Sequence, residues 1–315
     1  MNSDNPQGTN SSLVILDRRT DTVVKTVSQG VGRQLNAVAV RRSGATSYVA
    51  SFADDSVAVV DTRTAAVTTT IPVGDQPAQV VLSADECRAY VVNTGDVTIA
   101  GGISVIDTTT NQVTGTLTAG SNPYRIALAP DGNHAYVVTD NTVVRLDLRT
   151  GQILDTVQNP NTGGLLVGLA LAPGGRHLYA VDSENNNVLV IDACTMTLTG
   201  TPIALPGEGL AGNAAVSPDG KLLYVTESGS TEVAVVDTVT ATARPDTITV
   251  GRNPTNVAFT PDSSHAYVTS SLDDPKGLNI VNTRTSLVEN QLNVGSGPFD
   301  VALITVGRTP KPRDN

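Results

Sequence analysis

Short runs of alternating apolar and polar residues, each closed by a turn signal, follow one another along the whole chain. Alternation with a period of two places successive side chains on opposite faces of an extended strand. One stretch shows the grammar. Arg125 to Ala129 predicts a strand, a, and Pro130-Asp131-Gly132-Asn133 a turn in which Pro presets φ and Gly is free to take a positive one. Ala135 to Thr139 predicts strand b, and Val143 to Leu146 strand c. Asp147 to Gly151 closes a c–d hairpin, its carboxylate placed to accept backbone N–H groups two residues on, and Gln152 to Val157 predicts strand d.

This unit recurs. An apolar pair followed by Asp or Asn, then by Thr three residues later, marks Asp17, Asp61, Asp107, Asp147, Asp192, Asp237 and Asn282, at steps of 44, 46, 40, 45, 45 and 45 residues. Strand b carries Tyr48, Tyr90, Tyr136, Tyr179, Tyr224 and Tyr267. A period of about 40–45 residues signals units that cannot bury their own apolar faces and must stack on their neighbours. Four-stranded units arranged radially make a β-propeller. The expected fold is therefore all-β, a seven-bladed propeller of four-stranded antiparallel blades over 12–306. Residues 1–11 and 307–315 are expected to be flexible tails. Strands c and d at the N-terminus (Leu13 to Leu16, Thr22 to Val27) and a strand a at the C-terminus (Asp300 to Val306) would share the last blade and pin the ring shut.

Composition agrees with strands and turns: Val and Thr are the two most frequent residues, Gly, Ser, Asp and Asn are plentiful, and Trp is absent. The formal charge of −10 and the lack of a Lys/Arg cluster argue against nucleic acid as a partner. Cys87 and Cys194 fall two blades apart, so no disulfide is expected. No apolar run reaches membrane-spanning length, and Met1 to Ser12 lacks the basic start and apolar core of a signal peptide. The expectation is a cytoplasmic monomer, or a periplasmic or secreted one if a leader has been removed.

Ala135-Tyr136-Val137-Val138, Leu223-Tyr224-Val225-Thr226-Glu227, Ala266-Tyr267-Val268-Thr269-Ser270 and Val105-Ile106-Asp107-Thr108 resemble the YVTN-repeat β-propeller family. The resemblance covers about residues 12–306 and implies the seven-bladed fold. Relatives of this architecture include surface-layer and periplasmic proteins, amine-dehydrogenase heavy chains, lactonases and cycloisomerases, so it implies no single activity.

Positions that carry the repeat can be set aside. His134, His177 and His265 each lie two residues before the strand-b Tyr, on different blades, and cannot converge on one substrate. Two rings of varying chemistry remain. One begins strand a: Ala37, Gln79, Arg125, Gly168, Asn213, Asn256 and Asp300. The other ends strand b: Ser51, Asn93, Thr139, Asp182, Glu227 and Ser270. Arg125 offers a bidentate fork for a carboxylate, with Gln79, Asn93, Asn213, Asn256 and Asp300 as further ligand-binding candidates. The expected function is a recognition propeller whose axial channel binds a small polar or anionic molecule, or a peptide tail. The alternative is a cofactor-independent lyase, cycloisomerase or lactone hydrolase, with Arg125 anchoring a substrate carboxylate and Asp182 or Glu227 moving a proton. No metal spacing or cofactor signature is found, and three channel carboxylates are the one set suited to Ca²⁺.

Overall fold

The computed structural model describes residues 11–95, 100–272 and 276–304. Among them are strands and turns but no helix. Blade I is Leu35–Val40, Thr46–Ser51, Ser56–Asp61 and Ala66–Pro72; blade II is Pro77–Leu82, Arg88–Gly95, Ala100–Asp107 and Gln112–Leu117. Blade III is Pro123–Leu128, His134–Thr139, Thr142–Asp147 and Ile153–Gln158. Blades IV and V begin Leu166–Leu171, His177–Asp182, Asn187–Asp192 and Leu210–Val216, Leu222–Ser228, Glu232–Asp237. Each of their outer strands is broken in two, as Thr197–Leu198 with Ile203–Ala204 and Thr242–Ala243 with Ile248–Thr249. Blade VI is Pro254–Phe259, His265–Ser270, Leu278–Asn282 and Leu287–Leu292. Every neighbouring pair is antiparallel, in the order a-b-c-d.

The blade count corrects the expectation of seven. Among the described residues there are six four-stranded blades, and Leu13–Asp17 pairs with Thr22–Val27 in a separate two-stranded sheet. Residues 299–304 belong to no strand, so among the described residues the two ends of the chain do not share a blade; residues 305 and 306 of the expected strand lie outside the described residues. The sequence pattern of 300–306 suits a strand, but an extended segment forms a ladder only beside a partner edge, and among the described residues no strand b pairs with 300–304. Instead the segment is held by side chains. The hydroxyl of Thr255 donates to the carbonyl of Phe299 at 2.8 Å, that of Thr269 to the same carbonyl at 3.2 Å, and Asp300 Oδ2 accepts the N–H of Val38 in blade I at 2.7 Å. Val301 and Leu303 pack with Val14 and Leu16 of the terminal hairpin.

The apolar faces meet between blades, not inside them. Tyr48 of blade I packs against Val80, Ala89 and Ile106 of blade II, and Tyr136 of blade III against Leu169, Leu178 and Ile191 of blade IV. Each c–d turn is built as its Asp predicts. Asp107 Oδ1 accepts the N–H groups of Thr109 and Thr110 at 2.8 and 2.9 Å, and the equivalents at Asp61, Asp147, Asp192, Asp237 and Asn282 do the same. Both cysteines are free and exposed.

Candidate functional site

The innermost strand of every blade has one edge with no neighbour, because the ring leaves a hole at its axis. Unpaired strand N–H groups there need acceptors. The ring of residues beginning strand a supplies them. Gln79 Oε1 accepts the N–H of Ile126 in the next blade at 2.7 Å. Asn213 and Asn256 turn their Oδ1 atoms onto the N–H groups of Ala214 and Val257, at 2.9 and 2.6 Å. Asp300 takes the N–H of Val38 with one oxygen and that of Val301, at 2.8 Å, with the other. A backbone N–H can only donate, so these contacts set the amide orientations: carbonyl toward the backbone, NH2 toward the axis.

An axial cavity of about 340 Å³ lies inside this ring, its lining including Gln79, Arg125, Asn213, Asn256 and Asp300. Arg125 is the long polar member that has no acceptor to offer, so capping does not explain it. Its guanidinium lies 4.4 Å from the centroid of the Tyr124 ring, a cation–π contact. Nη1 makes two long contacts, 3.4 Å each, to the carbonyls of Ala78 and Tyr124, and the buried Nε has no hydrogen-bond partner. Among the described residues no carboxylate pairs with it within ion-pair distance. Burial raises the Asp300 pKa, against the pull of the Val38 and Val301 N–H groups and of the Arg125 charge. Asn256 Nδ2 donates to Asp300, whereas Gln79 Nε2 and Asn213 Nδ2 find no partner among the described residues. The lining is therefore rich in donors, with one fixed cation.

The second ring stands elsewhere. None of Ser51, Asn93, Thr139, Asp182, Glu227 and Ser270 lines the axial cavity, and all are buried where strand b meets the b–c and d–a loops. Asp182 accepts from the side-chain amides of Asn159 and Asn161 at 2.8 Å and of Asn185 at 3.0 Å, and from the N–H groups of Leu165 and Asn185. Burial by itself would raise its pKa, but these donors outweigh it and hold the carboxyl below the usual range. Asn93 donates to the Val91 and Gly102 carbonyls and to Ser104 Oγ. Glu227 receives the Gly209 N–H at 3.3 Å, its Oε1 has no partner, and burial pushes its pKa up. These residues fasten loops. The structure thus separates Asp182 and Glu227 from Arg125, and the acid/base pair expected beside the cation is not assembled. The edge-capping duty of the strand-a ring also escaped sequence reasoning, although its clustering of Gln, Asn and Asp was a readable signal.

The three histidines open strand b of blades III, IV and VI, as the repeat requires, and His134 pairs with Asp131 of its own turn at 2.6 Å. Among the described residues no group of three or more His, Cys, Asp or Glu is disposed to hold a metal ion, and no helix is long and apolar enough to cross a membrane.

Residues 19–163 match the model of the YNCE-like beta-propeller family. Over that stretch, a little under half of the chain, the sequence is similar to propellers of that family. The YNCE-like match takes in blades I to III, and with them Gln79, Asn93 and Arg125. No curated protein matches the chain. Among solved structures, Kuenenia stuttgartiensis Hydrazine Synthase is similar in fold, with a TM-score of 0.78 and 22% identity over 86% of this chain and 89% of that one. At that identity the likeness concerns the fold alone.

Proposed function

We propose that this chain is a recognition propeller whose axial cavity binds a small anionic ligand, a carboxylate on Arg125 with the Gln79 and Asn213 amides as further donors. The observation that carries this reading is Arg125 itself. A half-buried cation with an unpartnered Nε, sharing its cavity with Asp300 but ion-paired to no carboxylate, favours a ligand that supplies the acceptors. An anion bridging the guanidinium and the amide NH2 groups would gain charge-assisted hydrogen bonds in a partly desolvated site. No observation favours the acid/base alternative, since Asp182 and Glu227 are committed to loops outside the cavity.

The test is thermal unfolding against a panel of acetate, succinate and citrate. At about 100 times Kd, a ligand confined to the folded state stabilises by about 2.7 kcal/mol, or several degrees in Tm. The parent should respond to at least one member, and Arg125→Ala should not. An equal response in both proteins rejects the site, and no response to any member rejects the ligand class.

A further inference from the structure

At each interface between neighbouring blades, strand b of the first contributes a tyrosine: Tyr48, Tyr90, Tyr136, Tyr179 and Tyr224, with Tyr267 playing the same part against the terminal hairpin. The ring packs on the residue that precedes the neighbour's own tyrosine, as Tyr48 does on Ala89 and Tyr136 on Leu178. At three of these interfaces the hydroxyl reaches the neighbouring turn, whereas that of Tyr224 is buried without a partner. Tyr48 donates to the Thr108 carbonyl at 3.4 Å, Tyr136 to the Ala193 carbonyl at 3.0 Å and Tyr267 to Asp21 at 3.3 Å.

The interface between the terminal hairpin and blade I departs from this rule. Leu13, Val27, Leu35, Val49 and Val60 meet there with no tyrosine among them. Beside them lies an apolar groove of about 310 Å³ between Leu13–Asp17 and residues 301–304, and its lining reaches Ser47 and Thr62 of blade I. Ser47 precedes Tyr48, as Ala89 precedes Tyr90, so it holds the position on which a neighbour's tyrosine packs elsewhere. Its hydroxyl is buried without a partner, 1% exposed. Thr62 follows Asp61 as Thr108 follows Asp107, the residue whose carbonyl takes a tyrosine hydroxyl. Backbone partners are at hand too. Among the described residues Leu13–Asp17 pairs with Thr22–Val27 alone, and its other edge faces the groove.

We propose that this groove binds an extended, tyrosine-bearing segment of a partner polypeptide, which adds as a strand to the free edge of Leu13–Asp17 and seats its tyrosine between Ser47 and Thr62. Strand addition gives affinity through main-chain hydrogen bonds and specificity through the pocket that takes the alternate side chain. A tyrosine suits a slot with an apolar body and a polar end. The sequence has seven tyrosines, six in strand b and the seventh, Tyr124, stacked with Arg125. All seven tyrosines of residues 1–315 are therefore engaged, in this chain and in a second folded copy alike, and the occupant proposed is a separate polypeptide.

The chain's own strand b of blade II supplies the probe, a labelled octapeptide with the sequence of Arg88–Gly95. Titration into the full chain, followed by fluorescence anisotropy, should show saturable binding. An alanine in place of the peptide's tyrosine should weaken it at least about tenfold, the behaviour of a buried aromatic anchor. Ser47→Phe, which fills the slot, should abolish binding, and the peptide series on the unaltered protein decides the matter if that variant does not fold. Absence of saturation up to about 1 mM overturns the proposal. So does equal binding of the alanine peptide, or a dimer in sedimentation whose groove is covered by the second copy. The axial site is not involved in any of these readings.

Discussion

At the scale of single residues, the turns show how much strain the repeat tolerates. Four positions after each turn Asp or Asn, the backbone takes a positive φ: Asp21, Ala65, Asn111, Gly151, Met196, Ala241 and Ser286, with φ of 57° at Ala65 and 53° at Ala241. Only one of the seven is glycine, and an L-residue there costs about 1–2 kcal/mol. Ala241 is exposed, so Ala241→Gly changes little else and should stabilise the fold by about 0.5–1 kcal/mol, read as a rise in urea midpoint with unchanged m. Glu227 and Asp182 occupy equivalent slots with opposite electrostatics. The raised folded pKa of Glu227 means that the folded state is relieved below the usual carboxylate range and penalised as pH rises through the folded value. Glu227→Gln should therefore stabilise at about pH 7.5, by about 1 kcal/mol, and lose that advantage near pH 4. The depressed pKa of Asp182 has the reverse sign: its contribution is full at neutral pH and fades as pH falls through the folded value. Asp182→Asn should cost about 1–3 kcal/mol at neutral pH, and less in acid.

At the scale of elements, the strand grammar was legible because period-two alternation and turn residues act locally. Strand b of blade III runs His134–Thr139 and strand c Thr142–Asp147, close to the ranges read from the pattern. The broken outer strands of blades IV and V were not legible, since an outer strand faces solvent on much of its surface and its pairing depends on one neighbour alone. The terminal hairpin differs from the blades in having two strands, with Val23 and Val24 exposed at 43% and 54%. A two-stranded sheet is marginal by itself. Amide hydrogens of Thr22–Val27 should exchange at least about tenfold faster than those of strand b in blade III. Mass-resolved hydrogen exchange measures this, and equal protection would mean that the hairpin is as firmly held as a full blade.

At the scale of the whole molecule, ring closure among the described residues rests on side chains rather than on a shared sheet. Asp300 links blade VI, through Asn256, to blade I, through the Val38 N–H. Asp300→Ala should leave that N–H unpaired and cost about 1–3 kcal/mol, with faster proteolysis near the chain ends as the accompanying sign. Unchanged stability would place closure in the apolar contacts of Val301 and Leu303 instead. The candidate site was legible in part. The position of each residue in its strand was enough to place Gln79, Arg125, Asn213, Asn256 and Asp300 around the axis, because equal repeats bring equivalent positions to equivalent radii. Which atoms they offer was not legible, since that depends on the unpaired strand edges that only the closed ring creates. The same holds for Asp182 and Glu227, whose side chains are claimed by loops from distant parts of the sequence such as Asn159 and Gly209. The sequence by itself determined the strands, their turns and the repeat, all of which follow from alternation and backbone preference within a few residues. Tertiary structure alone decided the number of complete blades, the donor-rich character of the axis and the groove beside the hairpin, because each depends on which strand edges find partners across the ring.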